Sequence, residues 1–239
     1  MLLYYIRHGD PIYNPNCLTP LGHRQAEAVG RRLALHGLDE IYVSSSNRAI
    51  QTAQPAAEML GLTPKVLDWT NEDHAWAQLT RVNEQGNRHW LFQDEMMRPL
   101  LASREMQELG FRWYDHPRLA GKGYDEGINR IQREAFAFLG ELGYPHREGE
   151  NGYIAQQPNE KRVALFAHHG FGLAFLSCIL DIPYPEFATR FDMNHTGLTV
   201  IEFSGEQGSE VLPRLMMLSG ESHLYKEGLP LRYQNGIYI

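Results

Sequence analysis

Hydrophobic positions along this chain fall into short continuous runs and helical stripes. Leu2 to Ile6 (LLYYI) is a brief apolar, aromatic-rich run, the pattern of a strand buried on both faces. It ends abruptly on Arg7-His8-Gly9. From Asp10 to Leu18 the chain carries Pro11, Asn14, Pro15 and Asn16, which mark a loop. Thr19-Pro20 reads as a helix start, with threonine as N-cap and proline at the first helical position. Leu21, Ala26, Val29 and Leu33 share one face of a helix running to about His36, and Gly37 stops it. Ile41-Tyr42-Val43 predicts a second buried strand, ending in Ser44-Ser45-Ser46. A helix from about Arg48 to Leu60 follows, closed by Gly61, and Thr63 to Trp69 predicts a third, shorter strand. Strands and helices alternating at this spacing predict parallel strands joined by right-handed crossovers.

From there to about Gly123 the pattern changes. All four tryptophans, Trp69, Trp76, Trp90 and Trp113, fall in this stretch with many arginines. It shows no strand alternation and is compatible with short helices, so it reads as an insertion over the ligand edge of the sheet. Asp125 or Gly127 opens a long helix that buries Ile128, Ile131, Ala135, Phe138 and Leu142. Tyr144 to Lys161 is polar and rich in Gly, Pro and Asn, a surface loop or hairpin. Arg162 to Ala167 (RVALFA) is another core strand, ending in His168-His169-Gly170, and Phe171 to Leu180 is an apolar helix. Leu198 to Phe203 and Val211 to Leu218 read as the last strands, and the tail after Tyr225 as a surface wrap. The expectation is an α/β fold: a three-layer α/β/α sandwich with a mostly parallel central sheet. It forms a single domain over residues 1–239, with an inserted, mainly helical cap at about 70–124.

Composition narrows the setting. The chain has 239 residues, 43% of them hydrophobic and 21% charged, ordinary for a soluble globular protein. A formal net charge of -7 argues against a nucleic-acid-binding surface but leaves anionic small substrates open. Cys17 and Cys178 are too few for a disulfide framework and fit a reducing cytoplasm. No apolar run approaches the length of a membrane span, and the chain enters a strand with no leader pattern ahead of it. A soluble cytoplasmic protein is therefore expected, with no membrane partner and with self-association into a homodimer left open.

Three strand ends carry functional residue types: Arg7-His8-Gly9, Ser44-Ser45-Ser46-Asn47-Arg48, and His168-His169-Gly170. If the strands are parallel, these ends share one rim, where open α/β sheets bind ligands. Arginine offers planar, bidentate donors that match phosphate oxygens and keeps its charge at any working pH. A neutral histidine is a competent nucleophile toward phosphorus. Phosphoryl transfer is mostly positioning and charge stabilisation, which such a constellation supplies.

The segments RHG (7–9) with Asn14, LTPLGHRQAEAVGRRL (18–33), SSSNRAIQTA (44–53) and VALFAHHGFGLAFLSCIL (163–180) resemble the histidine phosphatase superfamily, also called the phosphoglycerate mutase-like family. The match is collinear and covers nearly everything outside the cap. The resemblance implies that His8 is the nucleophile, that Arg7 and Arg48 grip the phosphate, and that His168 helps neutralise the transferring group. Asn14 would line the phosphate pocket. The family reads His-Gly-Gly where this chain has His168-His169-Gly170, so His169 replaces a glycine, as either an obstruction or an added donor in substrate binding. His168 is favoured over His169 as the second histidine. The family takes its proton donor from the start of the insertion, where Glu72 stands, with Asp73 as rival. Asn194 to Thr199 (NHTGLT) resembles the turn before a late strand whose backbone faces the phosphate, which puts Asn194 among the substrate-binding residues and leaves His195 structural or peripheral.

The resemblance thus implies a phosphatase acting on a small phosphate monoester through a phosphohistidine, with no metal and no cofactor. A phosphoglycerate mutase is the nearest alternative, but the Asn-Glu-Arg signature of those enzymes after the second arginine helix is absent. A non-catalytic phospho-ligand-binding module is a second alternative, opposed by the presence of both arginines, both histidines and an acid. A metal hydrolase built on the 11 histidines is a third, and the strand-end histidines lack the helix-borne spacing of a zinc site.

Overall fold

The computed structural model describes residues 1–231. Strand β1 (Leu2–Arg7) leads into a small ribbon of β2 (Pro11–Ile12) and β3 (Cys17–Leu18), then helix α1 (Pro20–Ala34). The hydroxyl of Thr19 accepts from the Gly22 N–H at 3.0 Å, so the predicted cap is formed. Strand β4 (Glu40–Val43) is followed by α2 (Asn47–Leu60), which ends at Gly61 in the left-handed conformation (φ 64°). Only two residues of the expected third strand pair, as β5 (Lys65–Val66). Leu67 and Trp69 turn instead into the core, and a 3-10 turn occupies Asp68–Thr70.

Helix α3 (Glu72–Gln78) follows, capped by the Asn71 side chain on the Asp73 N–H. A hairpin then appears where no strand was expected, β6 (Thr80–Val82) with β7 (Arg88–Trp90). Its strands are three residues each, too short for alternation to register in the sequence. Short helices α4 (Arg98–Leu101) and α5 (Arg104–Leu109) and a 3-10 stretch to Asp115 complete the segment. Helix α6 (Tyr124–Glu141) follows, then β8 (Tyr153–Ile154), β9 (Arg162–Ala167) and α7 (His169–Ile179). Helix α7 thus starts two residues before the apolar run at Phe171, with His168 as its N-cap residue. Next come α8 (Tyr184–Ala188), β10 (Leu198–Glu202), β11 (Glu210–Val211), β12 (Arg214–Gly220) and α9 (Ser222–Lys226). The expected strand at 211–218 is therefore split. Pro213 lacks an N–H for a ladder, so β11 pairs with β8 outside the main sheet while β12 joins it. Of the expected tail wrap, Leu229 packs against Leu224 and Ala28, and residues 232–239 lie outside the described part of the chain.

The main sheet has six strands in the order β12-β10-β1-β9-β4-β5. Strands β1, β9, β4 and β5 are parallel, and β10 runs antiparallel to both of its neighbours, β1 and β12. Alternation along β9 shows the layering. Val163, Leu165 and Ala167 face a core shared with α6 and α7, and Ala164 and Phe166 face one shared with α1 and α2. Register then fixes the rim: Ile6 and Val43 both stand beside Phe166. The residues after each, Arg7-His8, Ser44 and His168, leave the sheet side by side. No helix among the described residues is long and apolar enough to cross a membrane.

The loop leaving β1 is fastened on both sides. The Gly9 N–H donates to the Thr52 hydroxyl of α2 at 3.0 Å, and the Asp10 N–H donates to Gln25 of α1 at 2.8 Å. The first turn of α1 lies so close that a Cβ on Gly22 would stand 2.3 Å from the Asp10 carbonyl oxygen. A Gly22→Ala substitution is therefore expected to destabilise by about 1–3 kcal/mol, the usual scale of overpacking. That loss corresponds to a fall in Tm of roughly 2–4 °C per kcal/mol in a chain of this size. An unchanged or higher Tm in calorimetry would contradict this packing.

Candidate active site

Each side chain at the rim is delivered by one element and held by residues of others. Arg7, 3% exposed at the end of β1, donates from Nη1 to the Met193 carbonyl (2.6 Å) and from Nη2 to Nε2 of His195 (2.9 Å). Arg48, 5% exposed in the first turn of α2, donates from Nη1 to Oδ1 of Asn16 and from Nη2 to Oε2 of Glu72, each at 3.2 Å. The exposed ring of Tyr13 lies 5.5 Å from the Arg48 guanidinium carbon. In both arginines Nε is buried with no partner in the protein. A buried donor left unpaired costs about 1–3 kcal/mol, so two such groups in one place are an unfilled requirement for acceptor oxygens.

His8 is closed off from bulk water and its Nδ1 lies 2.8 Å from the Gly9 carbonyl. A carbonyl only accepts, so Nδ1 carries the proton and Nε2 keeps a lone pair. Burial, then the nearby His168, Arg7 and Arg48, push the His8 pKa well below its usual value, which keeps the ring neutral. The His168 ring lies 5.2 Å from that of His8, with Nε2 2.8 Å from the Ser44 hydroxyl. Burial takes His168 down to about 3 against the opposing pull of Glu72. Its Nδ1 has no hydrogen-bond partner and stands 3.7 Å from Oε2 of Glu72.

Glu72 heads α3 and reaches back to the rim, where Oε1 accepts from the Gly170 N–H of α7 at 2.8 Å. Burial acts to raise its pKa, but His168, Arg48, His169 and Arg7 outweigh it and hold the carboxyl below the usual range. With His168 neutral, the two guanidiniums are the lasting part of that pull. Asp73 is exposed at the cavity's edge, and of the two candidate acids Glu72 is the one paired with Arg48 and His168 in the buried cluster. One ligand-type atom from each of His8, Glu72 and His168 lies within 4.8 Å of the other two, a spacing a cation would also accept. The adjacent Arg7 and Arg48 give that spot the wrong field for a divalent cation and the right one for an anion.

His169 lines the same cavity, 5% exposed, with its Nε2 toward Asp192. Two expected pocket residues are placed elsewhere. Asn14 is exposed at the tip of the β2–β3 ribbon and does not line the cavity. Asn16 does so instead, drawn onto the start of α2 by contacts with Ser46, Asn47 and Arg48. The Asn194 side chain turns away and donates to Glu221. His195, read from the sequence as structural or peripheral, receives the Arg7 bond, and its ring centroid stands 5.7 Å from that of His8. Strand β10 runs antiparallel to β1 with Leu198 beside Ile6, so the residues preceding β10 meet the end of β1. No local pattern announces that pairing, so the contact of His195 with Arg7 is visible only in the folded chain.

The fold recurs among known proteins. The sequence model described as "Histidine phosphatase superfamily (branch 1)" matches residues 3–114. A candidate phosphoserine phosphatase of Hydrogenobacter thermophilus is 23% identical over 218 residues, covering 87% of this chain and 93% of its own. Among solved structures, the mycobacterial glucosyl-3-phosphoglycerate phosphatase in complex with VO3 superposes with a TM-score of 0.58 at 20% identity, over 92% of this chain and 99% of that one. The phosphoserine phosphatase of Entamoeba histolytica in complex with 3-phosphoglyceric acid gives 0.58 at 20% identity, over 93% and 98%.

The buried imidazoles have a consequence for stability. His168 at about 3 and His223 at about 4, the latter held down by burial and Arg32, bind protons less readily folded than unfolded. Their contribution is complete above the ordinary histidine value of 6.5 and is lost as pH falls from there toward 4. Urea denaturation between pH 7.5 and 4.5 should show stability declining, each such histidine adding up to about 1.4 kcal/mol per pH unit. His223→Gln should make the decline shallower, and an equal slope in the variant would contradict the assignment.

Proposed function

The chain belongs to the histidine phosphatase superfamily, and from that premise we propose that it hydrolyses a phosphate monoester through a phosphohistidine on His8. The observation that carries the reading is the state of His8. It is a neutral ring whose Nε2 lone pair is free to attack, beside two arginines whose buried Nε groups lack acceptors. Arg7 and Arg48 take the equatorial phosphoryl oxygens, and the Nδ1 side of His168 adds a further donor when Nε2 accepts from Ser44.

The His8 Nε2 attacks phosphorus as the bond to the ester oxygen breaks, and Glu72 delivers the proton that the departing alcohol needs. Without substrate Glu72 is ionised, because the guanidiniums hold its pKa down. A bound phosphate dianion cancels that field, so the carboxyl takes up its proton when it is needed. In the second half Glu72 accepts a proton from water, the water oxygen bonds to phosphorus, and the P–N bond breaks to release inorganic phosphate and neutral His8. His195 keeps the Arg7 guanidinium in place, and His169 and Asn16 complete the binding wall. The inserted segment at about 70–124 acts as the cap of the domain and supplies the acid. Phosphatase-type relatives and the missing mutase signature favour water as the acceptor over a retained substrate hydroxyl.

Incubation with a phosphorus-labelled ester and rapid quenching should trap acid-labile, alkali-stable label on the wild type and none on His8→Ala. Label retained by His8→Ala, or turnover without any labelled species, would contradict the nucleophile. Glu72→Gln should slow alkyl phosphates by about 10²–10⁴-fold while slowing p-nitrophenyl phosphate much less, because a good leaving group needs little protonation. Equal losses on both substrates would assign the proton to another residue.

A further inference from the structure

Resting on the phosphatase reading, we infer that the leaving alcohol is uncharged and carries a flat ring. The cavity beside the cluster has a volume of about 670 Å³, within the range of sites for whole small molecules and far more than a phosphoryl group fills. Its remaining wall therefore belongs to the alcohol.

That wall is aromatic and lacks spare positive charge. Tyr13, Trp76 and Trp90 supply three rings, and Asn16, Gln93 and Asp73 supply polar atoms. Trp76 and Trp90 meet edge to face, with centroids 5.0 Å apart at 80°. Trp90 is fixed from behind by Phe92, stacked at 5.9 Å, and by Gly170, where a Cβ would stand 2.3 Å from the indole. The aromatic corner is thus preformed, and a ring entering it loses little freedom.

Among the described residues lining the cavity, Arg7 and Arg48 are the only lysines or arginines, and both serve the phosphoryl group and Glu72. A second anionic group on the alcohol would lie near Asp73 and Glu72 without a cation of its own, a costly arrangement. His169 offers no remedy, since burial keeps it neutral. This cavity therefore disfavours an acid such as the 3-phosphoglyceric acid bound by the Entamoeba histolytica enzyme.

Benzyl phosphate, glycerol 3-phosphate and 3-phosphoglycerate all leave through an alkyl oxygen, so their kcat/KM values compare the alcohols rather than leaving-group strength. Benzyl phosphate should exceed glycerol 3-phosphate by about tenfold, the scale of one good ring contact, with 3-phosphoglycerate lowest. Trp76→Ala should bring the benzyl-to-glycerol ratio close to one, and Trp76→Phe, which keeps a ring and guards against misfolding, should preserve it. Asp73→Lys should raise 3-phosphoglycerate relative to glycerol 3-phosphate. If the wild type hydrolyses 3-phosphoglycerate as well as benzyl phosphate, this inference fails and the phosphatase reading stands. If no ester releases phosphate, p-nitrophenyl phosphate included, both fail together.

Discussion

Two guanidinium groups withdrawn from water set the terms for everything at the rim. Arg7 and Arg48 are nearly closed off from solvent, and each spends its Nη groups on the protein while its Nε stays unpaired. A folded chain tolerates that cost only where something else is gained, and two buried guanidiniums side by side create a field that suits an anion. Burial keeps the neighbouring imidazoles neutral, with the guanidinium field acting in the same direction, and that field helps hold the neighbouring carboxylate ionised. The protonation states at the rim thus follow from burial together with the placement of two arginines.

Holding those arginines takes most of the architecture. Arg7 depends on the turn before β10 for its acceptors, and that turn is tied back to β1 through the Thr196 N–H on the Arg7 carbonyl at 3.0 Å. Arg48 depends on the β2–β3 ribbon for Asn16 and on the inserted segment for Glu72. A six-stranded sheet with helices on both faces provides the fixed frame, and short polar segments carry the chemistry at its edge. The segment after β5 does two things at once: α3 returns a carboxylate to the rim, while Trp76 and Trp90 line the cavity beside it.

Much of this was legible in the residues themselves. Continuous apolar runs at 2–6 and 162–167, helical stripes between them, and Thr19-Pro20 and Gly61 as punctuation indicate an α/β sandwich, because burial periodicity and capping are local properties. Arg7, His8, Arg48 and His168 were also visible, since strand ends bearing cations and imidazoles suggest one anion site once the strands are parallel, whereas Glu72 came only through the family resemblance. The β6–β7 hairpin was not, because strands of three residues leave no periodic trace.

What only the folded chain decided is which side chains meet. The antiparallel pairing of β10 with β1 brings His195 onto Arg7 and turns Asn194 away, and the ribbon delivers Asn16 where Asn14 was expected. These outcomes rest on strand pairing and on bonds between residues 27 or more positions apart. Sequence patterns record the period of burial within one element, and contacts between elements leave no such period to read.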